Sequence, residues 1–445
     1  MPLCFLWFIS ESCHLCIWRF VGGMAVNYFC FVLKISRRRH WFFLRILMLL
    51  CLSFAHSQAE TYYIDSQRAF DRLANAEFEP GDAIQFKKGS RFVGMFAPKG
   101  RGARGAVIQI GSYGTGDKPR IDAEGRHPAG LFINDPAFWE IDGLEITNTD
   151  GSDRDQGALF GIYALADKTE GIYEHFHISN CTIHHVNGMV GGKQKGGIHV
   201  HIKDLRESKF HNLRITHNHI YEVGGVGIGN QSSCGNVDVK GSTYTSQHLW
   251  TDVYVAHNFI DRTGRNNVIA RVSKDAVYEY NRLANSSRAS TGHSIFNFNT
   301  DGIKIQYNEA YGNVGEGGKD RGGFDADYNS ANTYIQYNYS HGNLWFCGIM
   351  KRSNTNITIR YNVSINDQQG IYFYGFDKEE KVRNIHIYNI HTSSSRAWIS
   401  RFSLKVGHPR IPLLKTTSFC SPEMGLGGST QAGEGFRFIT ISTRG

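Results

Sequence analysis

The stretch DRGGFDADYNSANTYIQYNYSHGN, residues 320–343, holds two aspartates one residue apart, Asp325 and Asp327, behind a pair of glycines. Alternate residues of an extended strand face opposite sides, so Phe324 and Ala326 are expected to turn inward and both carboxylates outward. Two carboxylates flanking a glycosidic bond can hydrolyse it. The same pair can instead bind Ca2+, leaving Lys351, Arg352 or His293 to act as the base of a β-elimination. His293 comes from STGHSIFNFN, and Arg321 and Asp320 flank the aspartates on the loop side. The catalytic set expected is therefore Asp325, Asp327, Lys351, His293 and Arg321, with Asn297, Asp320, Arg352, Tyr372 and Tyr374 as substrate-binding residues. The bland alternative is a solvated face on which Asp327 and Lys351 make a surface ion pair of ~0–1 kcal/mol.

Other groups compete for attention. GGIHVHIKD sets His199 and His201 on one face of a strand, a spacing that suits a metal, and TIHHVNG adds His184 and His185. No third ligand has a defined position beside them, so they read as satisfied histidines. VGGVGIGN, residues 223–230, follows a strand and reads as a tight turn rather than a nucleotide loop. Tyr372 and Tyr374 in GIYFYGFD alternate outward, either as a platform for sugar rings or as flanking residues. The glycine-rich GNVGEGGKDRGG has the composition of a loop that closes over a substrate.

A repeat positions these groups. FHISNCTIHHV, LRITHNHIYEV, VYVAHNFIDRT, AVYEYNRLANS, IKIQYNEAYGN, TYIQYNYSHGN, ITIRYNVSIND and IHIYNIH each run a short alternating strand into an asparagine: Asn180, Asn218, Asn258, Asn281, Asn308, Asn338, Asn362 and Asn389. Successive spacings of 38, 40, 23, 27, 30, 24 and 27 residues suit one coil of a parallel β-helix, the longer ones carrying loops. A single coil cannot bury its apolar face, and stacking makes one continuous core. Asparagine tolerates the left-handed turn, and its amide can bond the asparagine one coil on. Counting back from these asparagines, and assuming equal turns, stacks Asn297, Asp327 and Lys351 in one external column, with Asp325 between Ile295 and Ile349. Upstream, TYYIDS, GDAIQFKKGSRFVG, AVIQIGSYG and FWEIDGLEITNTD read as strands between glycine turns, and a helix near Arg68–Ala76 is expected to cap the first coil.

GDAIQFKKGS, IGSYGTGDKPRIDAEG, WEIDGLEITN and the Tyr-Asn ladder resemble secreted right-handed parallel β-helix proteins of the pectin-lyase-like superfamily, over about residues 61–391. The resemblance implies an all-β, single-stranded right-handed parallel β-helix and a polysaccharide bound along an external groove. That superfamily includes lyases, glycoside hydrolases and adhesins. A polysaccharide lyase is the leading expectation. A glycoside hydrolase with an aspartate pair, or a non-catalytic carbohydrate-binding surface protein, is the alternative.

The net charge of +8 sits in the ends: six basic and two acidic residues before residue 61, seven and two after 395, and 35 basic against 36 acidic between. The body therefore lacks the basic stripe that a nucleic-acid partner requires. Residues 1–59 read as an upstream extension plus a signal peptide, KISRRRHWFFLRILMLLCLSFAHSQAE, which predicts export to the periplasm or beyond. Residues 60–395 are the expected β-helix domain, and 396–445 an atypical tail in which the repeat stops. Of nine cysteines only Cys181, Cys234 and Cys347 belong to the body, which makes neither a disulfide framework nor a paired metal site there. A monomer with no stable membrane span is expected.

Overall fold

The computed structural model describes residues 4–9, 12–21, 24–33, 59–154, 157–205, 207–232, 248–315, 320–327, 329–350, 354–374, 383–393 and 437–442. The chain divides into two units, Met1–Gln58 and Ala59–Gly445. In the first, Cys4–Ile9, Ser12–Val21 and Met24–Leu33 form a three-stranded antiparallel sheet. These strands lie in the expected upstream extension. Of the expected signal peptide, which ends at residue 59, residues 34–58 lie outside the described residues.

The second unit is the expected right-handed parallel β-helix. Each complete coil gives two consecutive strands to one long sheet and a third strand to a nine-stranded sheet. Trp250–Ala256, Phe259–Thr263 and Val268–Arg271 are one such coil. The nine-stranded sheet, in strict sequence order, consists of β1 Ala129–Asn134, β2 Phe160–Ala166, β3 Gly196–Ile202, β4 Val226–Ser232, β5 Val268–Arg271, β6 Ile295–Phe298, β7 Gly322–Ala326, β8 Trp345–Met350 and β9 Gln369–Tyr374. Its strands pair in parallel throughout. Inward columns such as Ile162, Ile198, Ile228, Val268, Ile295, Phe324 and Cys347 fill one continuous core. Among the described residues no helix is long and apolar enough to cross a membrane.

The capping helix, α1 (Gln67–Leu73), starts one residue earlier and ends three residues sooner than the sequence suggests. Ser66 is its N-cap, its hydroxyl accepting from the Ala69 amide. Phe70 packs on Phe86, Phe92 and Phe96, so the helix closes the first coil with an aromatic plug. The strand Arg437–Ser442, in the region expected as an atypical tail, pairs antiparallel with Arg383–Ser393.

The asparagine ladder is present, but its left-handed residue is misplaced in the sequence reading. In six coils the residue before the asparagine takes the positive φ: His217, His257, Tyr280, Tyr307, Tyr337 and Tyr361, at 52–57°. The following asparagine turns inward and is buried. The Oδ1 of Asn258, Asn281, Asn308, Asn338 and Asn362 accepts the backbone N–H and the side-chain N–H of the asparagine one coil before it. Asn180 and Asn389 instead sit at the left-handed position themselves, and Cys181 holds the ladder place in its coil, its amide donating to Asn218. Outside, the left-handed residues stack ring on ring, with centroids 4.8–5.2 Å apart from His217 to Tyr361. A second buried ladder runs Ser286, Asn313, Asn343 and Asp367.

Candidate active site

The two aspartates lie on β7, on the face turned away from the core. Phe324 and Ala326 are fully buried inside, as the alternation requires. The carboxylates are nevertheless covered, Asp325 being 1% and Asp327 8% exposed.

The register differs from the one counted back from the asparagines. Asp325 lies between Phe296 and Gly348, not between Ile295 and Ile349. Asn297 pairs with Ala326, so Asn297, Asp327 and Lys351 do not form one column. The reason is coil length: Ile295, Phe324 and Cys347 stack in one column, yet lie 13, 14 and 15 residues before their ladder asparagines. Each coil gains a residue in the turn, so equal turns were the wrong assumption. Asn297 consequently points inward, fully buried, and donates to the hydroxyls of Thr300 and Thr333. It is a residue of the solenoid's interior rather than of a substrate face.

His293, just before β6, is brought against Asp325 with Nε2 3.5 Å from Oδ2. Its Nδ1 accepts the Gly322 amide at 3.0 Å, which leaves the ring proton on Nε2, facing the carboxylate. Burial lowers the imidazole pKa to about 4; Asp320 opposes that shift and Lys193 adds to it. The ring is therefore neutral at pH 7. Gly348 makes room: a Cβ there would stand 2.7 Å from Asp325 Oδ1 and 3.1 Å from His293 Cε1. Cys347, the neighbour of Gly348, is buried, and desolvation followed by the Asp325 charge pushes its thiol well up, so it stays protonated.

Lys193 went unnoticed in the sequence. It comes from the glycine-rich segment before β3, and its ammonium sits 4.8 Å from the centre of the Phe296 ring, on the same face as the aspartates. Burial lowers its pKa, Arg265 and Arg271 push the same way, and Asp327 and Asp320 pull against them. Both aspartates thus act on one ammonium. Phe296 belongs to a small apolar cluster with Val226, Ile269 and Phe298, which floors the face beside them. The only sequence signal for Lys193 was GGKQKGG, a flexible composition with no strand period to fix where its side chains go.

The remaining expected residues separate. Asp320 is half-buried, and its backbone is pinned to the Thr291 hydroxyl by two hydrogen bonds. Arg321 turns away, donating to the carbonyls of Val314 and Gly315 in its own loop. Tyr372 stands on the outward column next to Gly348 and stacks on Trp345, with centroids 4.6 Å apart. Lys351, Arg352 and the side chain of Tyr374 lie outside the described residues. Further along the same sheet, His199 stacks on Phe160 at 5.2 Å and His201 meets the Tyr163 hydroxyl at 3.0 Å. His184 and His185 pair with Glu145 and Glu222. None of these four histidines joins a group of three metal-ligating side chains among the described residues. Ca2+ at the Asp325–Asp327 pair is not supported by the neighbours described. Asp325 faces an imidazole, a phenyl ring and a glycine instead of the further oxygens that Ca2+ takes.

No family model matches the chain. A lacto-N-biosidase of Bifidobacterium longum subsp. longum is 26% identical over 75% of this chain. The chain spans 27% of the length of that relative. The solved GH136 lacto-N-biosidase from Eubacterium ramulus is similar in fold. Its selenomethionine form has a TM-score of 0.59 at 20% identity, over 74% of this chain and 64% of that one. Its native form has a TM-score of 0.57 at 19% identity, over 75% and 64%.

Proposed function

We propose that this chain is a secreted glycoside hydrolase domain that cleaves an oligosaccharide on the outer face of the nine-stranded sheet. The observation that carries the reading is that the buried Lys193 ammonium lies 4.8 Å from the Phe296 ring on the outward face of the aspartate strand, where the charges of Asp327 and Asp320 both act on it. Hydrolysis needs two carboxylates, one to protonate the leaving oxygen and one to attack or to activate water. Asp327 and Asp320 are the two we assign to these roles. Asp325, almost without exposure, acts as a positioning residue through His293. Tyr372, stacked on Trp345, offers a ring edge for a sugar further along the groove.

This replaces the leading expectation of a lyase. Of the bases considered for elimination, Lys351 and Arg352 lie outside the described residues and His293 is buried against Asp325; what favours hydrolysis is that the similar proteins are named as biosidases, which are hydrolases. Their name makes a lacto-N-biosyl glycoside with a chromogenic leaving group the first substrate to test. Release of the chromophore without a rise in ultraviolet absorbance from an unsaturated sugar is expected. Asp327→Asn and Asp320→Asn should each lower kcat at least ~10³-fold while the circular dichroism of the fold is kept. Full activity in both variants overturns the assignment, and an unsaturated product restores the lyase.

A further inference from the structure

We propose that Glu140, His175 and His177 form a binding site for one divalent ion of the zinc type on the outer face of the long sheet. The site is separate from the aspartates and does not depend on the hydrolase reading. Glu140 on Trp139–Asp142 and His177 on Ile172–Ser179 are register partners in adjacent coils. His175 takes a left-handed φ of 55°, as Phe138 and Asn212 do in the adjacent coils, and steps out of the strand pairing with Asn212. That turn sets its ring on that of His177, with centroids 3.8 Å apart.

Three ligand atoms result. His175 Nε2 is 2.7 Å from Glu140 Oε1, and His177 Nδ1 is 4.0 Å from the same oxygen. All three lie within 4.8 Å of one another, the one such group among the described residues. Tetrahedral ligands at zinc distances stand roughly 3.3 Å apart, so shifts below about 1 Å suffice. Two imidazoles and a carboxylate are a donor set suited to Zn2+ and disfavoured by Ca2+ or Mg2+.

The outer partners favour the same conclusion. His177 Nε2 meets the Asn212 Oδ1 at 3.0 Å, so Nε2 carries the proton and Nδ1 keeps its lone pair toward Glu140. Gln109 donates to the other Glu140 oxygen at 3.4 Å. Arg214, the register partner of His177, is a cation beside the site, but its guanidinium is engaged by Asp252 at 2.6 Å. His175 and Asn212 also line a cleft of about 400 Å³ together with His211, Glu174 and Asp252, which leaves an open side for water or a fourth ligand.

Binding shifts the His175 proton between ring nitrogens and releases none overall. His175 Nε2 now shares its proton with Glu140, and the ion takes that place while Nδ1 gains a proton from solvent to balance the one that leaves. Asn212 donates through Nδ2 to His175 Nδ1 at 3.3 Å. With Nε2 on the ion, His175 Nδ1 must carry a proton instead, so the Asn212 amide turns until its oxygen serves both rings.

The test is zinc sulfate titrated calorimetrically into the full chain carrying Cys13→Ser and Cys16→Ser, because the Cys13-His14-Leu15-Cys16 spacing could itself take zinc. One ion per chain is expected, with a rise in Tm. Glu140→Gln and His177→Ala should abolish it with circular dichroism unchanged. Asn212→Asp, whose carboxylate accepts from both rings without turning, should tighten binding about 10-fold or more. Uptake that survives both Glu140→Gln and His177→Ala overturns the site, as does absence of uptake in the parent. Weaker binding in Asn212→Asp overturns the proton accounting on which the site rests.

Discussion

His293 and Asp325 are both almost fully shielded from water. His293 has a folded pKa of about 4, below its ordinary 6.5. A histidine depressed in the folded state binds fewer protons there than in the unfolded chain. Its contribution is therefore intact above pH 6.5 and is progressively lost as pH falls from 6.5 to 4. Urea unfolding of the parent should show that slope. His293→Asn, whose Oδ1 can still accept the Gly322 amide, should flatten it. An unchanged slope would remove His293 from its cause. Gly348→Ala tests the same pair sterically, because the new methyl meets Asp325 and His293 at once. A loss of ~1–3 kcal/mol of stability is expected, together with a fall in kcat larger than any change in KM. The alternation that sends Asp325 and Asp327 away from the core was legible in GGFDAD. Their burial was not, because the groups beside them, His293 and Lys193, come from segments whose composition carries no strand period.

At the scale of the strand and its turns, the asparagine ladder was legible and its register was not. Regularly placed asparagines reveal that coils exist. They do not reveal how many residues lie between the ladder and the nine-stranded sheet, and that number rises by one per coil around Asp325. The left-handed position was misread for a related reason: asparagine's tolerance of that backbone is a weaker demand than its use as an inward amide. Asn308→Ala would strip the side-chain bonds to Tyr278 O, Asn281 and Asn338, keeping only the backbone bond to Asn338 and leaving buried partners unmatched. A loss of roughly 2–4 kcal/mol is expected by denaturant unfolding. The second ladder ends differently, on Asp367, where burial raises the carboxyl pKa to about 6 despite hydrogen bonds from Ser340, Ser364 and Asn343. A carboxyl raised in the folded state holds its proton longer than in the unfolded chain. Its contribution is thus present below pH 3.8 and lost as pH rises to 6. Asp367→Asn should remove that loss and leave the protein more stable at pH 7, by ~1–3 kcal/mol. A destabilised variant would mean that the charge itself is needed.

For the whole molecule, the division at Gln58 and Ala59 matters for any measurement. A chain beginning at Ala59 should fold with the circular dichroism of the β-helix, and its unfolding midpoint should match that of the same unit in the full chain. A collapse in stability would show that the first unit is structurally required. The solenoid as a class was legible because its signal is repeated many times along the chain. The site was less so, because it is assembled from segments as distant as Lys193 and Asp327.

The external column from His217 to Tyr361 has an optical consequence. Tyr280, Tyr307, Tyr337 and Tyr361 are stacked within 5.2 Å of their neighbours and within 9° of parallel, in an order fixed by the coils. Chromophores so close and so aligned share their excitation. The near-ultraviolet circular dichroism of this protein should therefore carry a coupled tyrosine band that isolated tyrosines lack. The band depends on consecutive coils staying in contact, so it would report how far the solenoid has opened from its C-terminal end, coil by coil, without any label.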